Sequence, residues 1–491
     1  MAHAYKSQNP RGDRMQGRTL TAPTFGAKRR HVRRGAAPHF PALLALVCLF
    51  VPVLAQARIP HSERAALTDL FVQTHGLGWT TNTNWCKGAC AASGTPEFNK
   101  AGTECTWFGV ECDAAQTHVI AIAFDIPGNN LTGSLPALGA LSRLVRFDVS
   151  ENLLTGAIPE LSGLQHLQQF NASYNQLSGS IPGLNDLRSL VTFNVRTNHL
   201  SGGIPSLSGL TNLSSFEVGE NQLGGSIPDL SGLDSLTAFD AYDNQLTGSI
   251  PELGALIHLV VFDAHSNQLS GGIPALSGLE DLDYFDVGSN QLTGKIPDLT
   301  GLTKLQGLLV YDNLLTGSLP ELTGLMSLQW LYAEGNQLSG SIPALTDVAQ
   351  LGIFDVESNQ LTGELPSLSA VPYLFYFIAD RNQIGGGIPD LAHLLYLQVF
   401  DVASNQLSGP IPPLSDMPSL AYFRVGGNRL TGGVPPPPPT LLLGASLCPN
   451  LLDLTPSPND AGWEAATGYA PWWAAPSATN LCDDIFTGAF D

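Results

Sequence analysis

From His118 to Pro439 the apolar and polar positions recur with a fixed period. Asn stands at 129, 152, 175, 198, 221, 244, 267, 290, 313, 336, 359, 382, 405 and 428, each step 23 residues, so the segment divides into fourteen units with no insertion. Five residues before Asn is Phe in twelve units, from Phe124 to Phe423, and Leu at Leu308 and Leu331; three before Asn is mostly Val or Ala. Polar residues separate the two, the period-two pattern of a short strand with one buried face. Stacking such strands in register predicts Phe over Phe at roughly 4.8 Å. Leu two after Asn (Ile at Ile384), Ile, Leu or Val six after, and mostly Leu eight and eleven before complete the predicted core. Gly four after Asn and Pro seven after it occur in every unit. They suit a tight turn followed by an extended segment that cannot wind into a long helix. A buried Asn is costly unless its donors and acceptor are all used, so the Asn column predicts a hydrogen-bond ladder between coils.

Units that each contact only their neighbours need capped ends. Upstream, Ser62 is placed to N-cap a helix through Ala65, Ala66, Leu67, Leu70 and Phe71, followed by Trp79, Trp85 and Trp107. Downstream, Cys448, Trp463, Trp472, Trp473 and Cys482 suggest a second cap, joined through the short polyproline stretch 435–439 as a stiff junction.

The consensus L-x-x-L-x-x-F-D-V-x-x-N-Q-L-T-G-x-I-P resembles the leucine-rich repeat, and its T-G-x-I-P tail is similar to the plant-type subclass. The likeness covers 322 of 491 residues. It implies a repeat solenoid, the leucine-rich repeat horseshoe. A parallel β-sheet would line the concave face, with short turns, 3₁₀ and extended segments on the convex face and a small helical N-terminal cap. Phe in place of the usual Leu before Asp is a departure, tolerable in a core column. Cys105-Thr-Trp107-Phe-Gly109-Val-Glu-Cys112 is similar to the C-x-W-x-G-V-x-C of the family's N-terminal cap, whose cysteines are disulfide-bonded.

Charge adds a compartment. The formal net charge is −20, yet residues 1–57 hold nine Lys or Arg and one acid. A basic run (Lys28, Arg29, Arg30, Arg33, Arg34), an apolar run from Phe40 to Leu54 and Ala55-Gln56-Ala57 form the tripartite pattern of a cleaved secretory signal. The expected organisation is a signal peptide over 1–57, a disulfide-bonded N-terminal cap over 58–117, repeats over 118–439 and a C-terminal cap with one disulfide over 440–491. The mature chain would be secreted or at the cell surface, periplasmic if bacterial, with no integral membrane domain after signal cleavage. In an oxidising compartment the six cysteines outside the signal read as disulfides. Their separation pairs Cys448 with Cys482 and leaves three ways to join Cys86, Cys90, Cys105 and Cys112. Sequons stand at Asn130, Asn171 and Asn212, which would be glycosylated only in a eukaryotic secretory route.

With 22 Lys plus Arg against 42 Asp plus Glu, the composition excludes a nucleic-acid partner. No H-E-x-x-H, Walker loop, G-x-S-x-G or kinase signature is present, so no catalytic residue, metal site or cofactor is expected. His258 and His265 fall in columns where other units carry other polar residues.

Outward positions of the strands are six, four and two before Asn. Four before, eight of fourteen residues are acidic, as the plant-type repeat's usual Asp implies. Units nine to twelve depart from this: Leu309 and Tyr311; Trp330, Tyr332 and Glu334; Ile353, Asp355 and Glu357; Tyr376, Ile378 and Asp380. Aromatic and aliphatic residues exposed side by side and rimmed by acids predict a ligand-binding patch. The function expected is non-enzymatic recognition of a protein or peptide, with basic residues favoured. The rivals are a polysaccharide or cell-wall binder, or inhibitor of wall-degrading enzymes, and a structural or adhesive surface protein.

Overall fold

The computed structural model describes residues 58–472, apart from 89, 91–93, 125–127, 441–442, 454 and 469–471. The signal segment, Trp473 and Cys482 lie outside the described residues. The repeats wind into a solenoid whose long sheet has sixteen strands in sequence order, from Val110–Cys112 to Gly444–Ser446. The first pair is antiparallel and every later pair parallel and in register, placing Phe147 beside Phe170, Phe216 beside Phe239 and Phe377 beside Phe400.

Beneath the strands the Phe rings form two continuous runs, 147 to 285 and 354 to 423, interrupted at Leu308 and Leu331. Neighbouring ring centroids are 5.3 to 5.8 Å apart, wider than the roughly 4.8 Å between paired strands. Coils that fan apart behind the sheet give this spacing, and they leave the sheet on the concave side.

The Asn column is the predicted ladder. Asn175 Nδ2 donates to the carbonyls of Val149, Ala172 and Ser173 at 3.1, 3.2 and 3.1 Å, and Leu154 N donates to its Oδ1 at 3.0 Å. The same four bonds recur coil after coil, as at Asn359. The residue before each Asn takes a left-handed conformation: φ is 46° to 55° at the non-glycine residues from Glu151 to Ser404, and 67° to 71° at Gly128, Gly335 and Gly427, the glycines of that column. The extended segments after Asn pair into a second parallel sheet of eleven strands and a further one of three.

Helix α1 (His61–Gln73) starts two residues before the position expected from a Ser62 N-cap. Pro60 is its N-cap and no side chain caps it, so Ser62 lies within the first turn. Glu63 instead reaches the first repeat, accepting Val119 N at 2.8 Å and contacting His118 Nδ1 at 2.6 Å. Phe71, Trp79, Trp85 and Trp107 pack as a chain of rings that meets Phe124. The disulfides are Cys86–Cys90 and Cys105–Cys112, the most local of the three arrangements left open by spacing. At the other end helix α2 (Asp460–Thr467) buries Trp463 against Phe423, its Nε1 donating to Pro435 O at 2.8 Å. Cys448 Sγ lies 3.8 Å from Trp472 O, and its expected partner is outside the described residues. Among the described residues no helix is long and apolar enough to cross a membrane.

Candidate functional site

The outward rows of the long sheet carry the candidate chemistry, and parallel register decides which residues meet. Glu217, Asp240, Asp263 and Asp286 are mutual register partners on successive strands. They form a rail of four carboxylates between Asn194, whose Nδ2 donates to Glu217 at 2.6 Å, and Leu309.

Within this rail His265 Nδ1 lies 2.6 Å from Asp263 Oδ1 and 3.7 Å from Asp286 Oδ2. Its ring stacks on Tyr242 at 4.9 Å with the planes 4° apart. Burial alone would lower the imidazole pKa. The hydrogen bond to Asp263 and the charges of Asp263, Asp286 and Asp243 outweigh it and hold the ring up at about 9. Burial, then the Asp263 charge, pushes Asp286 up to about 7, even though Gly288 N and Tyr284 Oη donate to it at 3.0 and 3.1 Å.

The patch expected over units nine to twelve is present, but much less exposed than the columns imply. Leu309 and Tyr311 are buried, 8% and 6% exposed, in a cluster with Tyr284 against which Tyr332 packs. Two glycines make this possible: a Cβ on Gly288 would sit 2.2 Å from Tyr311, and one on Gly307 would sit 2.7 Å from Tyr284. Glu334, Asp355 and Asp380 are also buried, which corrects the expectation of an open acidic rim; Glu357 is half-buried. Trp330, Tyr332, Ile353, Tyr376 and Ile378 are half-buried and keep part of their surface in solvent. Trp330, Ile353 and Tyr376 are register neighbours on three adjacent strands, with Tyr332, Asp355 and Ile378 forming the next row.

The acids beside the patch are crowded. Burial, then Asp401 and Glu357, pushes the Asp380 carboxyl well above the carboxylate range, against Arg381 and with Asp355 adding repulsion. Asp401 is raised by burial against the pull of Arg424, which donates to it at 3.1 Å. A carboxyl raised in the folded state holds its proton more tightly there. Its contribution to stability is complete below the unfolded pKa, about 4, and is lost as pH rises through the folded value. The thermal midpoint should therefore be higher at about pH 5.5 than at about pH 7.5, by roughly 2–4 °C per kcal/mol of protonation energy. Asp380→Asn should flatten that slope. A midpoint that falls on acidification over this range, or an unchanged slope in the variant, would contradict the burial of these acids.

The column reading missed Asp263, His265, Asp286, Tyr242 and Tyr284 as a group, because their contacts run between units rather than along one. His258, in another column, is exposed and faces Asp281 at 3.5 Å.

In-register strands, the Asn ladder and the disulfide-bonded cap together define a leucine-rich repeat protein. No protein-family model matches the chain, and a comparison with curated proteins gives no match. Solved structures do resemble it. A TDR receptor is 27% identical with a TM-score of 0.58, the likeness covering 70% of this chain and 66% of that one. The PEPR1–AtPEP1 structure is 25% identical with a TM-score of 0.63, covering 80% of this chain and 62% of that one. The functional domain of InlJ from Listeria monocytogenes, at 22% identity and a TM-score of 0.50, covers 62% of this chain and 63% of that one and shares the fold. The chain thus spans slightly less than two thirds of the length of the two receptor structures.

Proposed function

We propose that this is an extracellular, non-enzymatic recognition protein that binds a peptide segment along the concave sheet, over units nine to twelve. The observation that carries the reading is the row Trp330, Ile353, Tyr376. Three large apolar side chains from adjacent strands keep part of their surface in solvent on the outward face of the sheet. Half-buried aromatics held by their neighbours lose little side-chain entropy on binding, which is what contact anchors require. Glu357, half-buried and paired with Arg381, lies beside them, and the formal net charge of −20 favours a ligand with Lys or Arg. Likeness to a receptor and to the PEPR1–AtPEP1 structure supports ligand recognition, and the two disulfides of the cap support an oxidising compartment.

Selection of a displayed random-peptide library against the full chain tests this. Enriched peptides should combine basic and apolar residues. Trp330→Ala with Tyr376→Ala should weaken their binding by at least roughly 30-fold, about the 2 kcal/mol of a hot-spot residue. The thermal midpoint should change little, since neither side chain belongs to the main core. Equal affinity in the double variant would overturn the reading.

A further inference from the structure

The rail of carboxylates holds one group whose chemistry the peptide reading does not use. We propose that Asp263, His265 and Asp286 form a binding site for a single divalent transition-metal ion of zinc-like character. One ligand atom from each lies within 4.8 Å of the others, and among the described residues this is the group so arranged. An ion at roughly 2.0–2.2 Å from each atom takes the place of the proton between His265 Nδ1 and Asp263 Oδ1, whose 2.6 Å contact opens by about 0.8 Å toward tetrahedral spacing as that proton is released to solvent.

Two of the three ligands, Asp286 and His265, are already oriented by neighbours. Gly288 N holds Asp286 Oδ1 at 3.0 Å, which leaves Oδ2 turned toward His265. That Oδ2 is 3.7 Å from Nδ1, beyond hydrogen-bond distance, so the gap is the size a bridging ion fills and a proton does not. Tyr242 stacks on the imidazole and fixes its plane, and Tyr284 Oη donates to the same Asp286 Oδ2 at 3.1 Å. Outer contacts of this kind orient metal ligands.

An imidazole among carboxylates selects a borderline ion such as zinc over calcium or magnesium, which take oxygen. The side chains of His265, Asp263 and Asp286 are 21%, 9% and 4% exposed, so the ion enters from the concave face, and three protein ligands leave a coordination position open on that side.

The test is calorimetric titration of the chelator-treated full chain with zinc chloride alone, beside the thermal midpoint with and without the ion. One saturable site at micromolar or tighter affinity and a rise in midpoint are expected. His265→Ala and Asp286→Asn should each lose at least the roughly 10–100-fold that removal of an outer-shell partner alone costs. His258→Ala, at an exposed imidazole, should leave the site unchanged. Cobalt in place of zinc should give visible absorption bands that disappear in either site variant. No saturable binding below about 1 mM, or full affinity in Asp286→Asn with its fold verified by circular dichroism, would show that the cluster is an imidazolium held between two carboxylates and would overturn the proposal.

Discussion

Asn359→Ala should lower the stability of the solenoid by about 3 kcal/mol, measured as the shift of the denaturant midpoint multiplied by the slope. The size follows from where each of its bonds goes. Nδ2 donates to Ala333 O, Val356 O and Glu357 O, and each carbonyl has a second donor: Asn336 Nδ2, Asn382 Nδ2 and Gly335 N. Those carbonyls are therefore weakened rather than abandoned. Leu338 N, which donates to Asn359 Oδ1 at 2.9 Å in a buried position, has its bond removed. Leaving a buried donor alone costs about 1–3 kcal/mol, and the lost bonds and small void add a similar amount. Because each coil is coupled only to its neighbours, the variant should also let the coils on either side of 359 unfold less cooperatively. A midpoint within experimental error of the parent would mean that the ladder contributes register without stability.

Gly133→Ala should cost about 2–4 kcal/mol and act on the N-terminal cap alone. Gly133 has φ +82°, and a Cβ there would lie 2.2 Å from Gln73 O and 3.1 Å from the His75 ring. Gln73 is the last residue of α1, and Thr132 N donates to Thr74 O at 3.2 Å, so the added methyl separates the helix from the first coil. Gly294→Ala is the matched control. Its φ is +78° with nothing within 4 Å of the added atom, so it carries only the left-handed strain of about 1 kcal/mol. Hydrogen exchange of α1 should accelerate in the first variant and not in the second. Equal effects of the two would show that the close approach is relieved at no cost.

What the sequence reveals and what it hides separate along one line. Whatever repeats down a column was legible: the Phe runs, the Asn ladder and the Gly and Pro turn positions each follow from one residue type kept at one place in the period. The cap disulfides were legible as a need, and the described geometry chose among the pairings. What depends on two neighbouring units at once was not. Tyr311 is buried because Gly288, 23 residues earlier, leaves room for its ring, and Tyr284 is buried because Gly307 does the same from the following unit. Asp263 and Asp286 are likewise one full unit apart and become neighbours only through the parallel register. The left-handed residue before each Asn was hidden for another reason: Ser, Thr, Asp, Glu, Arg and Tyr occupy it in most units and Gly in three, so no constant glycine signals the turn.

The central claim is that ligand is held on the concave sheet between units nine and twelve, and photo-crosslinking tests it most directly. A library-selected peptide carrying a benzophenone side chain would be bound to the full chain, irradiated, and the adducts mapped by mass spectrometry. The account predicts adducts on the strands Trp330–Tyr332, Ile353–Asp355 and Tyr376–Ile378. Adducts concentrated on the second sheet or on the caps would contradict it.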